Sequence, residues 1–568
     1  MYLTKQQILR MMGISLMVVI CTLIQAGRHN NHIPQEGPWV VRGWFQSRDQ
    51  VQALAEWIEP KMVDHETGTL IAEVDEDLYQ FMLTLGFLVE VDVERTLELQ
   101  MDRSIPSFSC YLTVEETFAF AQDIVANYPN LAEWIDVGDS WEKTQNSENG
   151  YDLMVLRLTN RTITGDKPTL FAMSGLHARE YAPGGLTVDL AQYLISNYGS
   201  DADATWLLDD HEIHLLLAAN PDGRKMAESG QFWRKNKNND FCPDSNSRGI
   251  DLNRNFEFMW GCCGGSSTNS CSETFRGPSP GSEPETQAVI DYIRSIFPDQ
   301  RGPNVTDAAP NNATGVFLDI HSYGGCVLWP YGFDSTPTPN ATIQSFGRKL
   351  AFFNGYRPEK ASVSFDTDGT TDDFAYGDLG IAAFTFEVGT TFFQNCTSYN
   401  STILPDNLEA LIYAAKVSRT PYITPLGPDA RVLNLSNSQI TIGESATLTA
   451  IIDDTRYNNL IGTEPTQTVA NAEYYIDTPP WSTSETPVPL SLAPSDGSFN
   501  SAEEEVTAIV DSNQLGLGKF TIYVRGQDTD GNWGAVSALF LEVRQDLSVL
   551  FGQWPGEVTI LDMIPLVD

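Results

Sequence analysis

The sequence predicts a multidomain chain: a small α+β unit, then a long α/β domain, then an all-β sandwich. Three observations carry this. The 568 residues exceed what one hydrophobic core organises, so several domains are expected. Between about residues 107 and 425, near-continuous apolar strands alternate with helical patterns, as in a sheet covered on both faces. After the break "TPYITPLGPDA" the helical period disappears and strict apolar/polar alternation takes over.

The elements follow in order. Residues 1–26 have a charged start, Lys5 and Arg10, and an apolar run from Met11 to Ile24. That pattern predicts a cleaved signal peptide ending at Ala26, because the run falls short of the roughly 20 residues a spanning helix needs. No later stretch is apolar enough to span a bilayer, so the mature protein is expected to be secreted, without a membrane span. Residues 38–100 read strand, helix, strand, strand, helix, strand: "WVVRGWF" and "FLVEVDV" outside, "DQVQALAEWI" and "DEDLYQFMLTLG" as helices, "TGTLIAEV" as a middle strand. In the 107–425 region, "YDLMVLRL", "PTLFAMSG", "HEIHLLLAAN", "ATGVFLDIH" and "IAAFTFEVG" are the strands, with "GGLTVDLAQYLISNY" and "PETQAVIDYIRSIF" as helices between them. Residues 429–545 alternate in "SQITIGESATLTAIID", "AEYYID" and "KFTIYVRGQDTDGNWG", with turn signals and no helix. The tail, 546–568, has no assignable pattern.

Composition narrows the partners. Lys and Arg total 34 against 75 Asp and Glu, a formal net charge of −41. Such a surface offers no cationic patch to replace phosphate counterions, which excludes nucleic acid as a partner. In an exported chain the cysteine cluster Cys242, Cys262, Cys263 and Cys271 reads as disulfides rather than a thiolate zinc site. Neighbours Cys262 and Cys263 are expected to bond to different partners. Cys326 and Cys396 are a candidate bridge, leaving Cys110 as the odd thiol.

The candidate site begins at "SGLHARE", where an apolar strand runs out. His177 and Glu180, three residues apart on one helical turn, would aim their side chains together. Zinc in a hydrolytic site takes three protein ligands and keeps one position for water. The chain has only seven histidines, and His321, ending the strand "GVFLDIH", is the natural third ligand. His211 and His214 read as ordinary strand-edge residues. Glu387 closes the apolar run "AAFTFE", where a carboxylate needs a reason. Beside a cation it can act as a general base for water and a general acid for a leaving amine.

The order H-x-x-E, "NPDG", "FWRKN", "DLNRNF", "IHSY" and "FTFE" resembles the zinc carboxypeptidases of the carboxypeptidase A/B type, especially their secreted bacterial members. The resemblance covers about residues 107 to 425. It implies an α/β/α sandwich around a mixed eight-stranded sheet and one Zn2+, held by His177, Glu180 and His321 with Glu387 as general base/acid. By the same resemblance Arg234 stabilises the oxyanion, Asn253 and Arg254 grip the substrate's terminal carboxylate, and Arg179 lines the cleft. The activity implied is release of C-terminal residues from peptides and proteins by a monomer. Two positions depart from or refine the pattern. Phe365 stands where the family's mobile tyrosine is expected, and it cannot donate a hydrogen bond. Asp372 falls at the floor of the specificity pocket, where relatives preferring Lys or Arg also carry Asp; a one-residue slip would put Asp373 there. The 38–100 unit resembles the prosegments of secreted peptidases, and the 429–545 sandwich resembles immunoglobulin-like appendages of exported enzymes.

Three rival readings remain at this level. A zinc deacylase of small N-acyl amino acids could use the same ligands, but would not need the full "LNRNF" set. A non-catalytic peptide-binding protein with a decayed peptidase fold would be expected to lose Glu387 first. A serine hydrolase could be argued from "GPSPG" at 277–281, but prolines flank Ser279 and no strand precedes it.

Overall fold

The computed structural model describes residues 37–545; the expected signal segment 1–26 and the tail 546–568 lie outside them. The described residues divide into two compact units, residues 37–50 with 60–102, and residues 51–59 with 103–545.

In the first unit, strands β1 (Trp39–Trp44), β2 (Lys61–Asp64), β3 (Thr69–Val74) and β4 (Leu88–Val91) form an antiparallel sheet in the order β2-β3-β1-β4. Its core is Val41, Leu70, Ala72, Val74, Met82 and Phe87, all buried. The strand expected to run through Val93 stops at Val91. The physical reason is Asp92, whose carboxylate accepts the backbone N–H of Arg95 at 3.2 Å and so caps a helix, Val93–Leu99.

The second unit is organised by an eight-stranded mixed sheet, as the resemblance implies. Its strands are β5 (Ala132–Asp139), β6 (Asp152–Leu158), β7 (Thr169–Ser174), β8 (Glu212–Leu216), β9 (Val316–His321), β10 (Cys326–Trp329), β11 (Arg357–Lys360) and β12 (Ala382–Glu387). They run in the order β11-β10-β12-β9-β7-β8-β6-β5. The central strands β7, β8, β9 and β12 are mutually parallel, and pairing turns antiparallel at β12–β10, β8–β6 and β6–β5. β7 and β9 are buried at every position, which explains why their sequences do not alternate: helices such as Tyr181–Asn197 and Leu404–Val417 cover what would otherwise be a wet face. Three neighbouring parallel strands, β7, β9 and β12, therefore end side by side. In open α/β sheets that edge is where ligands bind.

From Asp429 onward, two smaller sheets of four and five strands enclose a separate core that includes Ala446, Leu448, Ile452, Ile522, Val524 and Leu541. Among the described residues no helix is long and apolar enough to cross a membrane.

The disulfides correct the sequence-based pairing. Cys110 bonds to Cys396, Cys242 to Cys271, and the neighbours Cys262 and Cys263 to each other, while Cys326 is a free, buried thiol. The odd cysteine is thus Cys326, not Cys110. It sits in β10, between β11 and β12, and burial pushes its thiol above the ordinary range.

His211, at the end of helix Ala202–Asp210, is buried, and neither ring nitrogen has a hydrogen-bond partner. Its ring packs edge-on against Trp206 at 5.2 Å. Burial, helped by the nearby charges of Arg419 and Lys167, holds its pKa well below the usual histidine value. The folded state keeps His211 neutral, whereas the unfolded chain takes up a proton below about pH 6.5. Stability from this site is therefore complete above pH 6.5 and lost as pH falls below it. By linkage the loss reaches about 1.4 kcal/mol between pH 7.5 and 5.5. Replacing His211 by Phe should flatten the pH dependence of denaturant unfolding over that interval by this amount; parallel curves for the two proteins would contradict it.

Candidate active site

The site is assembled from the ends of β7, β9 and β12. After Ser174, Gly175 takes φ +72° and the chain turns through Leu176–Arg179 before Glu180, at the N-cap position but with its carboxylate turned to the two histidines, precedes helix Tyr181–Asn197. The segment is a tight turn closed by Glu180 N–H donating to His177 O at 3.3 Å, rather than the helical turn the spacing suggests, and the two side chains still meet. The backbone of Arg234 fixes it by accepting Ala178 N–H at 3.0 Å.

His177 Nδ1 lies 2.9 Å from Glu180 Oε1. His321 Nδ1 lies 3.1 Å from Glu180 Oε2 and 3.0 Å from His177 Nδ1. All three residues are about 1% exposed, and one ligand atom from each falls within 4.8 Å of the other two. The outer nitrogens face carboxylates: His177 Nε2 is 3.0 Å from Asp251 Oδ1 and His321 Nε2 is 2.8 Å from Asp319 Oδ2. Ionised carboxylates only accept, so each Nε2 carries the proton and each Nδ1 turns a lone pair inward. Two lone pairs and a carboxylate then converge with no donor among them. That arrangement fits a divalent cation with two nitrogen ligands and one oxygen ligand. The same surroundings favour positive charge generally: burial opposes it at His321, but Asp319 and then Glu180 prevail and hold its pKa well above the usual value. Burial likewise opposes the ionised form of Glu180, and His177 and His321 outweigh it.

Glu387 is the last residue of β12 and pairs in parallel register with His321. Register partners on neighbouring strands share a face of the sheet, which puts this carboxylate beside the His–Glu–His cluster.

Around them stand the arginines. Arg234 is buried; its Nη2 donates to Asp251 Oδ2 at 2.9 Å and to Glu59 Oε2 at 2.6 Å, while Nη1 is buried without a partner. Burial opposes its charge, yet Asp251 and Glu59 hold the guanidinium firmly protonated. Asp251 thus joins a histidine of the cluster to this arginine. Arg254 donates from Nε to Gly265 O at 3.1 Å and from Nη1 to Asn253 O at 2.7 Å, and its Nη2 is 3.6 Å from Glu59 Oε2. Asn253 Oδ1 accepts Thr371 N–H at 3.0 Å. Arg179 makes a two-pronged pair with Glu273 at 2.7 and 2.9 Å and is stacked between Phe232 and Phe392, so it is committed to protein partners.

Phe365 and Asp372 are both buried, at 9% and 4% exposure. Asp373 accepts Gly332 N–H at 2.9 Å and Phe333 N–H at 3.2 Å. Asp372, one position earlier, makes neither of these bonds, and burial raises its pKa. Sequence reasoning did not single out Asp251, Asp319, Glu59 or Glu273. Asp319 carried the same signal as Glu387, an acid within an apolar strand, and Asp251 opens the "DLNRNF" segment itself.

Comparison with known proteins agrees with this geometry. A family model described as zinc carboxypeptidase matches residues 117–411. Carboxypeptidase A1 of Rattus norvegicus is 29% identical over 308 residues, covering 53% of this chain and 67% of that protein. Carboxypeptidase A5 of Homo sapiens is 31% identical over 304 residues, 51% of this chain and 63% of that one. Among solved structures, the carboxypeptidase A from Helicoverpa armigera shares the fold, with TM-score 0.55 and 22% identity over 68% of this chain and 99% of that one. The chain belongs to the zinc carboxypeptidase family, and is a metallocarboxypeptidase of the carboxypeptidase A type.

Proposed function

We propose that this enzyme is secreted and removes the C-terminal residue of peptides, with preference for Lys and Arg, using His177, Glu180 and His321 to hold zinc. The observation that carries the reading is Glu59: a carboxylate of the chain's own 51–59 segment lies against both Arg234 and Arg254, where a substrate's terminal carboxylate would be bound. Arginine forks suit that group.

His177, Glu180 and His321 would hold a zinc ion, which would supply Lewis acidity for water activation and carbonyl polarisation. The chain's own groups do the rest. The Glu387 carboxylate accepts the proton lost by the attacking water and delivers it to the leaving amine. The unpartnered Nη1 of Arg234 donates to the oxygen on which negative charge develops, so it acts mainly on the transition state. Arg254 and Asn253 grip the terminal carboxylate, and Phe365 covers it without donating a bond. Asp372, with Asp373 committed to the backbone, offers a buried carboxylate to a basic side chain and penalises an acidic one.

Secretion is supported by the disulfides Cys110–Cys396 and Cys242–Cys271, which persist in oxidising compartments. The placement of Glu59 supports a prosegment role for residues 38–100, holding the arginines until the chain is trimmed. The sandwich over 429–545 is proposed as an immunoglobulin-like appendage. One assay tests these points together: purified protein, untrimmed and trimmed by limited proteolysis, incubated with blocked dipeptides ending in Lys, Arg or Phe. Faster release of Lys and Arg, and faster release after trimming, are expected. A clear Phe preference removes the specificity assignment, and equal activity before trimming removes the blocking role.

A further inference from the structure

Asp368 lies in the segment between Phe365 and Asp372 and is fully buried. Its carboxylate is filled by one loop. Oδ1 accepts Gly261 N–H at 3.2 Å and the Ser266 hydroxyl; Oδ2 accepts Cys263 N–H at 3.3 Å and Gly265 N–H at 2.9 Å. That loop contains the Cys262–Cys263 disulfide, whose closure between adjacent residues restricts the peptide joining them. It also holds Arg254, because Gly265 O accepts Arg254 Nε–H.

The two backbones touch directly. A Cβ on Gly265 would lie 2.4 Å from Thr367, and one on Gly369, at φ +67°, would lie 2.5 Å from Arg254 O. Gly369 O in turn accepts Phe256 N–H at 3.0 Å, and Thr371 N–H donates to Asn253. Both members of the carboxylate grip, Arg254 and Asn253, are therefore braced by loop 261–266 and segment 367–371. The group binding these two stretches together is the Asp368 carboxylate.

The geometry points to Asp368 as a positioning residue for terminal-carboxylate recognition, acting through Gly265 on Arg254, with the Cys262–Cys263 ring holding the donors that fill it. This rests on the reading that Arg254 grips the substrate carboxylate. Asp368 touches no substrate atom, so its loss should loosen binding and spare the chemistry at Glu387.

The test measures KM and kcat separately for a blocked dipeptide ending in a free carboxylate. Wild type, Asp368→Asn, the double variant Cys262→Ser/Cys263→Ser and Arg254→Gln are each assayed before and after trimming. Asparagine keeps the size of Asp368 but turns an amide donor toward the N–H groups of Cys263 and Gly265. Asp368→Asn should raise KM about 10- to 100-fold, with kcat within about 3-fold of wild type. The double variant should raise KM about 3- to 10-fold through lost preorganisation. If Arg254→Gln raises KM while neither other variant does, the inference fails and the proposed grip stands. If Arg254→Gln leaves KM unchanged, the grip itself is wrong. A fall in kcat matching the rise in KM also overturns the inference, since a general loosening of the fold would produce it. Should Asp368→Asn not fold, the double variant decides alone, and an unchanged KM there is a negative result.

Discussion

Replacing Glu387 by Gln is expected to lower kcat by about 10²- to 10⁴-fold while KM and metal content stay near their wild-type values. Glutamine fills the same space at the end of β12, so the register with His321 survives. It cannot take a proton from water, and its amide N–H is far too weak an acid to protonate a leaving amine. The separation of kcat from KM is the informative part: in the proposed mechanism Glu387 acts on the transition state, while the arginines bind the substrate. Steady-state kinetics with elemental analysis of the same preparation decides the matter. A variant retaining a tenth or more of wild-type kcat would remove Glu387 from its role.

Loss of His321 should be more severe. Three donor atoms converge within 4.8 Å, and His321→Ala leaves two, too few for a stable catalytic zinc site. Bound zinc should fall from about one per chain toward zero, and activity to background. A calorimetric consequence follows. Zinc at 1,000 times its dissociation constant stabilises the native state by about 4 kcal/mol, so adding it should raise the Tm of the wild type and leave that of His321→Ala unmoved. Equal Tm shifts would place the metal elsewhere.

Much of this site was legible in the sequence because it lies where strands end. Apolar runs close on His321 and Glu387, and a third is followed at once by "HARE", so the groups with chemistry stand out against the residues before them. The central sheet was legible for the same reason: buried parallel strands lose alternation. What escaped depends on folding in three dimensions. Disulfide partners are set by which loops meet, and Cys110 meets Cys396 across 286 positions, a distance no local pattern encodes. The pairing of Cys262 with its own neighbour runs against the ordinary expectation for adjacent cysteines. Glu59 has no local signature either, since only the tertiary fold brings its carboxylate to Arg234. Asp319 is different. It carries the same signal as Glu387, an acid within an apolar strand, and stands two residues before His321.

The Cys110–Cys396 bond has a bearing on how a cut chain would behave. A protease acting shortly before residue 110 creates a fresh amino terminus, and such ends ordinarily fray and expose what they covered. Here the new end is stapled a few residues in, to the stretch that follows Glu387 and leads into helix Leu404–Val417. The severed enzyme keeps its first turn pinned, and a single later nick in an exposed loop between the two cysteines would leave the two fragments covalently joined. Under reducing conditions that insurance disappears, and the trimmed form should become much more susceptible to digestion than the intact chain.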